Sequence, residues 1–300
     1  MLGATLLTCL ASVSKLGTSK VAGGERSCEP GTLQPPNVKI AGTIVSENPE
    51  YQTLTLSDGR TLHLQQLHDE LQLTYVHNLL DSDEVDTLVR LADGRDGFTR
   101  SPLKAQRSGE SATGDDRRNS SSCPMLWPLA YAGRRAAIES ASNAAALVEE
   151  LELVTSVTER VADMFTKTGM EISANYIEPL QLVKYEATET FRPHHDYHED
   201  TSRSSVQGEQ RIFTVLIFAS TVDVDAGGET HFPLLDVAIS PRMGDAIIWA
   251  NVGADGEPNQ RSLHEGRPPA ANTRKYAINC WVADKPFSLG DGMDGAVKTK

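Results

Sequence analysis

The decapeptide FRPHHDYHED at 191–200 gathers three histidines and three acidic residues into ten positions. In an extended strand, residues i and i+2 point to the same side, about 6.5–7 Å apart. His194 and Asp196 can therefore aim an imidazole and a carboxylate at one ion. Two such ligands hold a divalent metal poorly. A second histidine from elsewhere would complete a set that leaves the opposite side of the metal open, which suits a non-haem Fe(II) that must also take a co-substrate and O2. The pattern occurs twice, because His198-Glu199-Asp200 has the same form, and spacing alone does not choose between them. His195 points to the other face, toward the sheet exterior or behind the ligands.

A distant histidine lies 68 residues beyond Asp196, where SLHEGRPP places His264 after a polar loop. Eleven residues further, Lys275 opens the run KYAINCWV. A lysine at a strand end is ordinarily solvated. After an HxD and a distant histidine, it reads instead as the cation for a carboxylate deep in a barrel. His231 follows Thr230 and alternates to the opposite face, a structural position, and His63, His68 and His77 have no partner spacing. Cys9, Cys28, Cys123 and Cys280 are too scattered for a disulfide framework and form no CxxC; Cys280 reads as a small core thiol. No GxSxG, Walker or dinucleotide motif is present.

These residues need a scaffold. After Leu180 the chain becomes a series of short β-rich runs (LQLVKY, RIFTVLIFAS, ETHFPL, VAIS, DAIIWANV, KYAINCWV) split by Gly, Pro and Asp turns, which argues for a sandwich or jelly roll. Upstream, 128–168 reads as helical. Val154, Val157, Val161 and Met164 form one apolar face, a core stripe, and Gly169 supplies the stop. A further helix should start at Asp81 or Ser82, whose side chains can cap it, and run to Gly94. Before it, YQTLTL and TLHLQQL flank Asp58-Gly59, a hairpin signal. The polar, aperiodic stretch 95–124 is either an insertion or a loop that orders over a site.

The 300 residues are 39% hydrophobic and 23% charged, enough for a large core without disulfide staples. A net charge of -13 repels nucleic-acid phosphates, so no nucleic-acid partner is expected. No apolar run reaches the roughly 18 residues of a membrane span. Residues 2–13 form a short apolar run ending in small residues. Two readings stay open: a cleaved leader to the secretory pathway, endoplasmic reticulum or an organelle, or a cytoplasmic start.

The stretch from about 180 to 282 resembles the catalytic domain of the prolyl 4-hydroxylase-type branch of the Fe(II)/2-oxoglutarate dioxygenases. The matching blocks are LQLVKYEATETFRPHHDYH, GEQRIFTVLIFAS, DAGGETHFP, ISPRMGDAIIWAN, and SLHEGRPP with KYAINCW. The helix at 148–169 and RNSSS at 118–122 resemble that family more loosely. The resemblance implies an α+β fold, a double-stranded β-helix (jelly-roll) core with supporting helices on one side. It implies His194, Asp196 and His264 as iron ligands. It implies 2-oxoglutarate as co-substrate with O2, its C5 carboxylate held by Lys275, Tyr185 and Thr230. Arg211 and Trp281 fall on the substrate side, and ascorbate is a possible reductant.

The implied reaction hydroxylates a carbon, most readily a prolyl residue of a peptide or protein, releasing succinate and CO2. The same chemistry on a free amino acid or small molecule is the alternative, and a non-catalytic jelly-roll binding module is the reading from another class. Three departures stand out. One extra residue at 272–276 makes Arg274 a rival to Lys275 as the anchor; Phe191 replaces a common tyrosine; and the loop 197–210 matches no particular subfamily. The expected organisation is leader or linker at 1–36, an N-terminal β-hairpin region at 37–75, the dioxygenase domain at 76–285 with its jelly-roll core at about 180–283, and a tail at 286–300.

Overall fold

The computed structural model describes residues 36, 38–40, 43–44, 51–101, 118–200 and 208–288. Readings of 1–35, of 102–117, of 201–207 and of 289–300 lie outside the described residues. Strands run β1 Val38–Ile40, β2 Thr43–Ile44, β3 Gln52–Thr55, β4 Thr61–His68, β5 Leu73–His77, β6 Thr99–Arg100 and β7 Ser121–Pro124. Beyond the helices follow β8 Gln181–Tyr185, β9 Phe191–His194, β10 Arg211–Phe218, β11 Thr230–Phe232, β12 Val237–Ile239, β13 Ala246–Ala250, β14 His264–Gly266 and β15 Lys275–Ala283. They form a nine-stranded sheet, β3-β4-β5-β13-β10-β15-β8-β7-β6, and a six-stranded sheet, β2-β1-β12-β11-β14-β9. Two facing antiparallel sheets with strands crossing between them make the jelly roll of an α+β fold.

Period-two alternation sorts the strands of the large sheet into two faces. Phe213, Val215 and Ile217 of β10, Ile248 of β13, and Ile278, Cys280 and Val282 of β15 join the core shared with the helices. Their neighbours Leu216, Phe218, Ile247, Trp249 and Ala277 face the small sheet, meeting Phe232, Val237 and Ile239 there. The inward face of β15 thus presents Lys275, Ala277, Asn279 and Trp281 to a cleft between the sheets.

The helices lie on one face only, that of the large sheet. Helix α1, Ser82–Gly94, begins with a complete capping box: Asp81 accepts from the Glu84 amide, and Glu84 accepts from the Asp81 amide. The expected helical stretch 128–168 is three helices rather than one: α2 Pro128–Tyr131, α3 Arg135–Glu139 and α4 Ala144–Lys167. The first break sits at Gly133, whose φ of 73° lies in the left-handed region. In α4 the stripe Val154, Val157, Val161 and Met164 is fully buried, each side chain contributing about 1.5–3 kcal/mol over exposure. The stop after Lys167 is closed by Met170 N–H donating to Phe165 O, the wide turn of a Schellman motif.

The segment expected as an N-terminal hairpin region contributes to both sheets. β1 pairs with β12 in the small sheet, and β3–β4–β5 extend the large one through β13. The hairpin at Asp58-Gly59 is present, and β5 runs across position 75 because its residues, buried on both faces, complete the core beneath β13.

Replacing Asp81 by Ala removes the cap and leaves orphan amides at the start of α1. We expect a loss of about 1 kcal/mol in denaturant unfolding, with metal binding by the distant cleft unchanged.

Candidate metal centre

His194 ends β9 and His264 opens β14, and the two residues are direct partners in the antiparallel pairing. Their ring centroids lie 4.2 Å apart. His194 Nδ1 donates to Arg192 O at 2.9 Å, and His264 Nδ1 donates to Ser262 O at 2.8 Å. A carbonyl only accepts, so each Nδ1 must carry a proton, which leaves each Nε2 as the atom turned toward the shared point. Those two Nε2 atoms face Asp196, 3.8 Å from Oδ1 for His194 and 3.7 Å from Oδ2 for His264. Asp196 is not within the strand, as expected from i,i+2 alternation, but two residues past its end, just before a bend at Tyr197. The chain turns there, yet the carboxylate still reaches the shared point. One ligand atom from each residue lies within 4.8 Å of the others, and no other such triad occurs among the described residues.

The protonation states suit a cation. Burial, reinforced by the neighbouring His264, holds His194 well below the usual histidine range, so its imidazole is neutral at pH 7. Burial alone would raise Asp196, but the His264 and His194 imidazoles, the Arg211 guanidinium and a Thr214 hydroxyl bond together hold it below the usual carboxylate range. Two imidazole Nε2 atoms and one carboxylate, with backbone carbonyls holding the rings through Nδ1, fit a divalent metal that keeps positions open.

Behind this group the cleft, about 440 Å³ including its open mouth, ends at Lys275, which is 2% exposed. Its Nζ donates to Thr230 Oγ1 at 3.5 Å and lies 5.2 Å from the centre of the Tyr185 ring. Among the described residues no carboxylate forms an ion pair with it. Burial pushes its ammonium down to about 8, with Glu229 opposing. Burial also raises the Tyr185 phenol, which stays a neutral donor. The rival Arg274 points away, paired with Glu186 at 2.8 Å on the surface.

Further along the same face of β15, Arg211 stacks over Trp281 at 3.7 Å and is gripped by both oxygens of Glu178 at 2.6 and 2.7 Å. Trp281 Nε1 is buried with no hydrogen-bond partner. Phe191 stacks on His194 with centroids 3.5 Å apart, and the Arg118 guanidinium lies 4.5 Å from the centre of the same ring. His195 bonds Ser262 at 3.1 Å, behind the ligands. His231 pairs with Glu265 at 2.8 Å on the outer face, and the His198 backbone is held by Gln210. His77 has a partner that its spacing did not reveal, buried Asp245 at 3.3 Å.

Sequence reasoning missed two groups here. Thr214, whose hydroxyl donates to Asp196 at 2.8 Å, shows in the sequence only as a lone polar residue in the apolar run RIFTVLIF. Asn251, which donates to Thr214, follows the equally apolar AIIWA.

The sequence profile of the 2OG-Fe(II) oxygenase superfamily matches residues 180–283. The chain is 32% identical over 131 residues to prolyl 4-hydroxylase 1 of Arabidopsis thaliana, covering 39% of this chain and 45% of that protein. It is 25% identical over 221 residues to prolyl 4-hydroxylase subunit alpha-1 of Rattus norvegicus, covering 72% of this chain and 35% of that one. The chain thus spans less than half the length of either curated relative. A solved structure of a viral collagen prolyl hydroxylase from Paramecium Bursaria Chlorella virus-1, in its 2OG complex, aligns at a TM-score of 0.49 and 17% identity, covering 70% of this chain and 95% of that one.

Removing either converging imidazole should abolish tight metal binding. We expect His194→Ala and His264→Ala to lose stoichiometric Fe(II) or Co(II) in equilibrium dialysis, while His198→Ala and His231→Ala retain it. Equal loss in all four would place the metal elsewhere.

Proposed function

We propose that the chain, whose residues 180–283 match the profile of the 2OG-Fe(II) oxygenase superfamily, is an Fe(II)- and 2-oxoglutarate-dependent dioxygenase hydroxylating a prolyl residue of a peptide or protein. The observation that carries this reading is a fully buried lysine without a carboxylate partner, set behind a two-histidine, one-carboxylate cluster in the same cleft. A buried ammonium is costly unless an anion meets it, and among the described residues no carboxylate comes within ion-pair distance, Glu229 acting only from further off. A dicarboxylate that reaches from the metal to Lys275 would.

In this reading His194, Asp196 and His264 hold the iron. Lys275, with Thr230 and Tyr185, holds the C5 carboxylate of 2-oxoglutarate, replacing its lost water by one cation and neutral donors. When bound, iron and 2-oxoglutarate supply the oxidising chemistry: O2 is reduced, the co-substrate leaves as succinate and CO2, and one oxygen atom becomes the new hydroxyl. The apolar walls, Val183, Leu216 and Ala277, keep bulk water from the reacting centre. Trp281 and the Arg211 stacked on it stand on the side from which a peptide would approach. The prolyl assignment draws on the relatives' names. Ascorbate as the reductant that restores Fe(II) belongs to the same proposal.

The decisive assay is mass spectrometry of a proline-rich peptide incubated with the protein. A 16 Da gain that requires both Fe(II) and 2-oxoglutarate is expected. A gain on free proline alone would move the substrate to the small-molecule class, and no succinate release at all would leave a binding module.

The Lys275 ammonium also fixes a pH dependence. It is charged below about 8 in the free protein, and the bound carboxylate favours the charged form, so its affinity is linked to one proton. Affinity for 2-oxoglutarate should be flat below pH 8 and fall about tenfold per pH unit above it, measured by calorimetry. In Lys275→Met, affinity should drop by about two to three orders of magnitude, because the bound carboxylate is left unpaired, and the pH slope should vanish.

A further inference from the structure

Three buried polar side chains form a line that ends on Asp196. Trp249, Asn251 and Thr214 are 1%, 0% and 0% exposed. Trp249 Nε1 donates to Asn251 Oδ1 at 3.0 Å, Asn251 Nδ2 donates to Thr214 Oγ1 at 2.8 Å, and Thr214 Oγ1 donates to Asp196 Oδ2 at 2.8 Å. The direction of the chain is forced at both ends. An indole nitrogen only donates, so the Asn251 oxygen must face it and the Asn251 amide must face Thr214. A carboxylate only accepts, so the Thr214 hydrogen must go to Asp196. No rotamer or amide flip preserves all three bonds.

Such a line in an otherwise apolar interior costs free energy unless every member is satisfied. Apolar residues fill the neighbouring inward positions Leu216, Phe218 and Ile247, so the fold does not need polar groups here. The site does. The line engages Oδ2 of Asp196 and leaves Oδ1 with no protein hydrogen bond among the described residues. Trp249 also packs against the His264 ring at 4.7 Å, inclined by 60°, so one side chain braces two of the three converging groups.

We propose that Thr214, Asn251 and Trp249 are positioning residues that hold Asp196 as a single-point ligand through Oδ1, so that the carboxylate does not chelate the metal with both oxygens and close a position needed by the co-substrate. This rests on the metal reading above, and the test separates the two.

Affinity for Co(II), read by its visible absorption, is measured in the full chain. Thr214→Val keeps the shape and removes the hydroxyl. Thr214→Ser keeps the hydroxyl and removes a methyl. Thr214→Val should weaken binding about 10–100-fold and change the Co(II) spectrum as Oδ2 becomes free to bind. Thr214→Ser should stay close to the wild-type affinity and spectrum. Adding Asn251→Ala to Thr214→Val should cost no further affinity, because Asn251 acts through the hydroxyl already removed. The proposal is overturned if Thr214→Val binds Co(II) like the wild type, if Thr214→Ser loses as much as Thr214→Val, or if the Asn251 effect simply adds. Wild-type protein that binds no Co(II) would instead overturn the metal reading, and this one with it.

Discussion

Everything at the site depends on the register of β14 against β9. With His264 opposite His194, two imidazoles from segments far apart in sequence face one point. A slip of one residue would turn His264 outward and bring Glu265 in. Instead Glu265 faces out, where His231 takes it. The same device then sets both rings: each histidine donates Nδ1–H to the carbonyl two residues upstream. The backbone that fixes the register also fixes the tautomers, so placing the strands and preparing the ligands are one event.

The charges follow from that placement. Asp196 is kept ionised by the groups around it, while Lys275 sits at the closed end of the cleft with its charge only partly favoured. A protein of net charge -13 thus places a buried lysine at the closed end of this cleft. Two arginines lie beside it, Arg211 paired with Glu178 and stacked on Trp281, and Arg118 buried over Phe191. The cleft can therefore accept a small dianion that the protein surface as a whole would repel.

Much of this was legible in the sequence because simple periods carried it. Two-residue alternation carried back from KYAINCWV to the residue before it separates inward Lys275 from outward Arg274, and the structure buries one while pairing the other with Glu186 at the surface. The stripe of α4 and the cap at Asp81 are equally local. What could not be read were features set by distant partners. β3–β5 carry no sign that they finish the large sheet, since only their pairing with β13 shows it. Gly133 interrupts the helical stretch through a conformation that its composition only permits. Thr214 and Asn251 look like imperfections in apolar strands until their line to Asp196 is traced. Arg211, expected to meet substrate, is also the anchor of an ion pair with Glu178 that no spacing announces.

The most direct test of the central claim is crystallographic: anomalous scattering from crystals grown with Mn(II) and 2-oxoglutarate. A single anomalous peak bonded by His194 Nε2, Asp196 and His264 Nε2 is expected, with the far carboxylate of the co-substrate against Lys275 Nζ. A peak away from these three atoms, or a carboxylate resting on Arg274, would contradict the account.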